Sequence, residues 1–270
     1  MLPVKVLGRR CSSSFIKAGV SLLKSQKRLF LMRSFGDMSH QSFWNTFYAN
    51  RQGGKRFDWF VHFEDVAAYL EPHLPILRAD DFLRILDIGC GTSDFSWELF
   101  EHLNRKCRVD CVDFSFEAIK AMEKFIDKHG ISAKMITDPM ESMLHPCDFT
   151  GFACHQADVK NLPFHDGTFA LVLDKGTSDA VLKGPSGEIA FGEVVKEALR
   201  VLRPNGKLIQ FTDEPPELRL NLFEKGKHQM LQRNDKENCE AVWVWRELEV
   251  RSGFQHFMYV VHKVTSASKY

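Results

Sequence analysis

The sequence predicts an α/β protein, an open and doubly wound sheet of parallel strands with an antiparallel hairpin at its C-terminal edge. Three observations predict it. From about Asp37 onward, short apolar runs alternate with amphipathic segments of helical period. The first such run ends in a glycine turn within Ile85–Asp94, ILDIGCGTSD. The last fifth of the chain holds two β-rich runs, 241–250 and 254–264, separated by Arg251-Ser252-Gly253, which is the spacing of a hairpin.

Each element has its own signal. Residues 84–88 read as a short buried strand, and 93–103 as a helix with Phe95, Leu99 and Leu103 on one face. A second strand covers 108–113. Ser115 can cap a helix running to His129, with Ala118, Ile119, Met122, Phe125 and Ile126 inward and Gly130 at the left-handed C-terminal position. Residues 131–150 have no clear period and contain Pro139 and Pro146, so they are expected to be a loop or insertion. Strands follow at 152–159 and 169–174, the latter apolar almost throughout, as a central parallel strand should be. A helix over 188–202 ends before Pro204-Asn205-Gly206, and a fifth strand covers 207–212. No internal repeat is visible.

Composition narrows the classes. The chain has 270 residues, 44% of them apolar, with 23 Phe, enough for a substantial core. A net charge of +1 gives no global reason to expect nucleic acid or an anionic membrane as partner. The seven cysteines form no C-x-x-C pair, consistent with reduced thiols inside a cell, and no apolar run reaches the ~18–20 residues of a membrane span. Residues 1–36 are different: they carry eight Lys or Arg, interspersed serines and no acid. That pattern reads as a mitochondrial transit peptide cleaved near Arg33–His40, in preference to a basic tail or a membrane-surface helix. Residues 37–270 then form the functional domain.

The glycine turn points to a nucleotide at the carboxyl ends of the strands. A dinucleotide fingerprint needs G-x-G-x-x-G, but the sixth position from Gly89 is Asp94, an acid that would repel a pyrophosphate at a helix start. The acid at Asp87, ahead of Gly89 and Gly91, gives D-x-G-x-G, which resembles motif I of the class I S-adenosylmethionine-dependent methyltransferases. The resemblance implies the Rossmann-like sheet of that family and S-adenosylmethionine as cofactor. This ligand carries an ammonium and a sulfonium, which a carboxylate near the turn attracts. Asp113 ends the second strand beside Phe114, where a carboxylate can accept both ribose hydroxyls. By the resemblance, Asp158 takes the adenine amine and Val159 supplies a backbone N–H. The segment LRVLRPNGKLIQF resembles the family's post-motif helix, turn and strand.

The segment after the fourth strand, Leu173–Val181 (LDKGTSDAV), has neither the N-P-P-Y type motif of nucleic-acid amino methyltransferases nor a Pro-Cys nucleophile. It resembles a seven-strand group that methylates lysines on proteins, as does Ser42–Phe60, SFWNTFYANRQGGKRFDWF. Within that group FDWF, VDFS, LDKGTSDAV and LIQFTDEPPELRL resemble most the mitochondrial enzymes that methylate citrate synthase. The resemblance covers roughly residues 42–264, except 131–150 and 223–240. It implies a protein partner, citrate synthase, met in the matrix; separately, a monomer that binds no nucleic acid and no membrane is expected.

The expected roles follow. Residues 42–63 form a lid, with Phe57, Trp59 and Phe60 over cofactor and lysine, although Phe57, Phe60 and Phe63 also sit at helical spacing, as core residues would. Asp174 lies near the transferred methyl and positions the amine, with no dedicated base. Lys175 orders the loop that it and Thr177 present to the acceptor. Asp179 stabilises the helix after the loop. Asp213 and Glu214 either face a basic substrate surface or are solvated acids. His62, His73, His155 and His165 have no paired-ligand spacing, so no metal site is expected. Two other classes stay open: a small-molecule methyltransferase acting on a quinone-like precursor, suggested by NLPFHDGTF, and a non-catalytic binding protein that kept the fold.

Overall fold

The computed structural model describes residues 38–51, 56–75, 82–131, 133–136, 150–231, 239–250 and 253–265; the expected transit segment 1–36 lies outside them. The strands are β1 (Leu83–Ile88), β2 (Cys107–Asp113), β3 (Ala133–Ile136), β4 (Gly151–Gln156), β5 (Phe169–Lys175), β6 (Leu202–Thr212), β7 (Cys239–Leu248) and β8 (His256–Thr265). They form one sheet in the order β3-β4-β2-β1-β5-β6-β8-β7. Pairing is parallel from β3 to β6, and β8 is antiparallel to both β6 and β7. The chain leaves β1 to one side through β2 and β4 and returns to its other side with β5. That reversal opens a crevice at the carboxyl ends of β1 and β5.

The helices are α1 (Gln41–Ala49), α2 (Phe63–Leu70), α3 (Phe95–His102), α4 (Phe116–Lys128), α5 (Thr177–Val181), α6 (Gly187–Val201) and α7 (Pro216–Leu231). Alternation along each strand sends side chains to two cores. Ile85, Val109, Cys111, Leu171 and Ile209 meet Val66, Leu99 and Met122 on one face. Leu86, Ile88, Val172 and Leu208 meet Phe191, Val195 and Ala198 on the other. Each Val, Leu, Ile, Phe or Met among them contributes about 1.5–3 kcal/mol of burial, which fixes the strand ends in register. Ser115 caps α4 as its sequence predicts, its hydroxyl accepting the Ala118 N–H at 3.3 Å.

Three features depart from the sequence expectation. Within 131–150, Ala133–Ile136 is a strand, the edge strand β3 paired with β4. Four residues are too few to show a period, and the prolines lie beyond them. β6 begins at Leu202, pairs there with Phe169, and resumes at Lys207 opposite Leu171, so Arg203–Gly206 bulges out around Asn205 at φ 62°. Helix α7 has no strong apolar stripe in its sequence; it starts at Pro216, a residue suited to a first helical turn.

Candidate active site

The crevice is a cavity of about 340 Å³. One wall comes from the strand ends: Gly89 after β1, Asp113 and Phe114 after β2, Asp158 and Val159 after β4. Trp44 and Tyr48 of α1, with Trp59, form the facing wall. Lys175, Gly176 and Thr177 close it from β5, and Ala180 and Val181 extend it along α5.

The turn after β1 is shaped by what packs on it. Gly89 and Gly91 have φ of 64° and 54°, a region open mainly to glycine. A Cβ on Gly89 would fall 2.0 Å from Thr177 Oγ1, and one on Gly91 2.4 Å from the Tyr48 hydroxyl oxygen. Thr177 Oγ1 in turn donates to the Ile88 carbonyl at 2.8 Å, so α5 is tied to the turn. Gly91 therefore lies under Tyr48, with its N–H given to Asp113, and does not line the cavity.

Asp113 is the central acid. Its carboxylate accepts the N–H of Gly91 at 3.0 Å and of Ser115 at 2.8 Å. Burial raises its pKa to about 6, against the lowering effect of those backbone bonds. The backbone of Phe114 also stabilises it, and among the described residues it has no side-chain donor. Asp158 is half exposed, accepts the Lys160 N–H at 2.9 Å and lies 3.4 Å from Lys160 Nζ. Tyr48, deeply placed beside Asp113, has its pKa raised by burial and by that negative charge.

Two expected acids are elsewhere. Asp87 is buried beneath the turn, where it accepts the Ser96 hydroxyl at 2.6 Å, and it does not line the cavity. Burial raises it to about 7. Asp174 also lies outside the cavity. Its Oδ1 accepts the N–H of Thr177 at 3.0 Å and of Ser178 at 3.2 Å, and its Oδ2 accepts the Ser178 hydroxyl and Gln210 Nε2, the latter at 2.8 Å. Four donors saturate a carboxylate that is 1% exposed and outside the cavity. The alternation of β5 turns it into the sheet, so it builds the first turn of α5 and does not line the cavity. Burial raises its pKa as well.

The segment 56–62 is not helical, so Phe57, Phe60 and Phe63 share no helix face; Phe63 opens α2. Trp59 reaches the cavity, whereas Phe57 packs edge-on against it at 5.1 Å and Phe60, at φ 62°, lies over Gly176. Polar contacts fix this strap. Asp58 accepts Lys175 Nζ at 2.8 Å and the Ser93 hydroxyl, and Lys175 also donates to the Trp59 carbonyl at 3.3 Å. Arg56 pairs with Asp94 and with the Ser93 carbonyl. The acid that argued against a pyrophosphate is thus matched by an arginine, a pairing that no local sequence pattern announces. Asp179 accepts Thr212 Oγ1 at 2.6 Å and Arg219 Nη2 at 2.5 Å, joining α5 to β6 and α7. Asp213 lies outside the cavity. NLPFHDGTF sends none of its side chains into the cavity; Arg200 and Glu197 of α6 clamp it, as at Leu162 N–H to Glu197 (2.9 Å) and Arg200 to the Phe164 carbonyl (2.7 Å).

Sequence reasoning missed Trp44 and Tyr48. Their helical register in α1 was the available signal, but only packing shows which face meets the turn. It also missed Asp58, which sits inside the quoted FDWF motif.

Comparison with known proteins agrees with this geometry. Residues 86–210 match the methyltransferase domain family. The chain is 34% identical over 195 residues to the Homo sapiens protein named citrate synthase-lysine N-methyltransferase, mitochondrial, covering 71% of this chain and 77% of that one. The chain belongs to the class I S-adenosylmethionine-dependent methyltransferases. The Pongo abelii protein of the same name is 35% identical over 193 residues, covering 70% of this chain and 76% of its own. EEF1A lysine methyltransferase 4 of Mus musculus is 29% identical over 229 residues, covering 82% and 74%. Among solved structures, the [4+2]-cyclase SpnF superposes with a TM-score of 0.54 at 13% identity, over 85% of this chain and 97% of that one. That likeness shows the fold alone.

The cavity of this methyltransferase fits S-adenosylmethionine. A buried carboxylate, Asp113, faces it with backbone donors and, among the described residues, no cation as partner, and the acid at the start of α3 is already neutralised by Arg56. Asp113 would hold the ribose, Phe114, Asp158 and Val159 the adenine, and the Gly89 turn the methionyl end. When bound, the cofactor supplies a methyl group already activated on a sulfonium.

Proposed function

We propose that this methyltransferase acts on lysine side chains of proteins, with citrate synthase in the mitochondrial matrix as its acceptor. The observation that carries the proposal is where two segments meet. Trp44 and Tyr48 of α1 and Trp59 of the strap, with Lys175, Gly176, Thr177, Ala180 and Val181 after β5, together close the cavity opposite the nucleoside-facing acids. These are the segments whose sequence resembles the lysine-directed group, and the relatives named for citrate synthase lysine support the same acceptor.

The chain's task is to place and dry an amine. A lysine has a reference pKa of ~10.4, so presenting it neutral near pH 7.5 costs about 4 kcal/mol. The indole walls of Trp44 and Trp59, 6.1 Å apart between ring centroids, disfavour the charged form by desolvation. Their faces still attract an arriving ammonium. Asp174 is saturated and unavailable as a base. Catalysis then rests on orientation and water exclusion. In this reading residues 42–63 are the lid, and residues 1–36 direct the chain to mitochondria.

Incubating the recombinant chain with methyl-labelled donor, purified citrate synthase and mitochondrial extract tests the proposal. Label mapped to a lysine of citrate synthase is expected. Label on another protein would overturn the acceptor, and label confined to the lipid fraction would reject protein methylation. A fusion of residues 1–36 to a fluorescent reporter should enter mitochondria; a cytosolic signal would sink the targeting reading.

A further inference from the structure

Lys175 presents a chemical problem for an enzyme of this kind. It is itself a lysine, and it lines the cavity in which an amine is to receive a methyl group. Its side chain is 8% exposed. Its Nζ lies 2.8 Å from Asp58 Oδ1 and 3.3 Å from the Trp59 carbonyl. Asp58 is 10% exposed, and the same oxygen, Oδ1, also accepts the Ser93 hydroxyl of the glycine turn, while its Oδ2 lies 3.6 Å from His62 Nδ1. Burial acts to raise Asp58, but the Lys175 charge, with hydrogen bonds from Lys175 and Ser93, outweighs it and leaves its pKa below the ordinary carboxylate value. The carboxylate is therefore a standing negative charge against the ammonium.

We infer that Asp58 is a positioning residue that holds Lys175 as a charged, non-accepting wall of the cavity, and that without this charge Lys175 becomes a methyl acceptor itself. The physical basis is direct. An ammonium has no lone pair and cannot attack carbon. Removing the anion from a buried ion pair strips the charge of its bonded counter-charge; Asp87, which also feels Lys175, is not bonded to it and is itself raised by burial to about 7. A buried lysine relieves that cost by losing its proton. The neutral ε-amine then attacks the sulfonium methyl: an N–C bond forms, the C–S bond breaks, the thioether product leaves, and the surplus proton passes to solvent. In the native chain the pair forbids this and also pins Trp59 over the cavity. The inference deepens the lysine-directed reading, because it explains how an enzyme built for amines spares its own.

Asp58→Asn tests it. The amide is isosteric and keeps an acceptor for Ser93 while removing the charge. The variant and the native chain are incubated alone with trideuteromethyl-labelled S-adenosylmethionine, digested and mapped by mass spectrometry, and cofactor binding is measured by calorimetry. We expect label on Lys175 in Asp58→Asn at ten times or more its level in the native chain, and none in Asp58→Asn/Lys175→Gln. Asp58→Glu, which restores the charge, should return Lys175 to the native level; a merely structural strut would not separate the three variants by charge. Lys175 equally labelled in the native chain, or unlabelled in an Asp58→Asn protein that binds cofactor, overturns the inference. If Asp58→Asn fails to bind cofactor, Asp58→Ser is read in the same way; if that also fails, the pair is a strut and the inference falls. The lysine-acceptor reading is scored separately. Labelling of citrate synthase by the native chain without self-labelling in Asp58→Asn sinks only this inference, and the converse sinks only that reading.

Discussion

Asp110 and Asp113 lie on the same strand, both fully or almost fully buried, and their surroundings drive them in opposite directions. Asp110 accepts Arg84 Nε at 2.7 Å, Arg108 Nη2 at 2.8 Å and pairs with His155 Nε2 at 2.8 Å. Burial alone would raise it, but His155 and Arg84 outweigh burial and hold it well below the usual carboxylate range. Among the described residues Asp113 receives only backbone N–H groups, and burial leaves it raised to about 6. The difference teaches that burial of an acid is not the mark of a site. What distinguishes the two is the counter-charge. An acid supplied with arginines is a strut, whereas one supplied only with dipoles, at a strand's carboxyl end and facing a cavity, is kept for a ligand. Asp58 shares with Asp110 a counter-charge, but its partner is Lys175, a residue of the cavity wall, so it is no mere strut; Asp87 and Asp174 go with Asp113 in charge but not in place, since neither faces the cavity.

The contrast can be broken by mutation. Asp110→Ala leaves Arg84 and Arg108 buried without their shared anion, and should cost about 3–5 kcal/mol of stability. Urea unfolding measures it, and a change under about 1 kcal/mol would remove Asp110 from the struts. Asp113→Asn should weaken S-adenosylmethionine binding roughly 100-fold, since it loses charge-assisted bonds of about 1.5–3 kcal/mol. Its unfolding midpoint should stay close to native, because no cation is stranded; native-like affinity by calorimetry would mean the pocket is wrongly assigned.

Acid sharpens the same contrast. Asp113 must be ionised to accept ribose hydroxyls, and its pKa is raised to about 6. Cofactor affinity should therefore hold above that pH and fall about tenfold per unit below it, as one proton is taken up. Asp113→Asn should abolish that slope, and a slope that survives would assign it to another group. The smallest effect belongs to Asp158→Asn. Its carboxylate is 47% exposed and already faces Lys160, so a loss of about 0.2–1 kcal/mol in binding is expected. A loss as large as that at Asp113 would show that exposure is no guide along this rim.

Much of the fold was legible in sequence because its signals are local. Apolar period, the Ser115 cap, and the glycine turn each act within one or two turns of chain, and the strands appear where those signals place them. β3 and α7 were not legible: four residues carry no period, and α7 depends on packing against α6. Of the residues singled out in sequence, Gly89, Asp113, Phe114, Asp158, Val159, Trp59, Lys175 and Thr177 line the cavity, while Asp87, Gly91, Phe57, Phe60, Asp174 and Asp213 do not.

By itself the chain's order of residues determined which strand ends carry acids and which turn is too tight for anything but glycine, since backbone geometry and side-chain period are properties of neighbouring residues. Only the tertiary structure decided which acids meet a ligand and which meet an arginine. Arg56 with Asp94, Lys175 with Asp58, and Arg219 with Asp179 join segments far apart in sequence. Charge acts across space, at distances of a few ångströms that the fold alone creates, and so the electrostatic character of each carboxylate was settled by its three-dimensional neighbours.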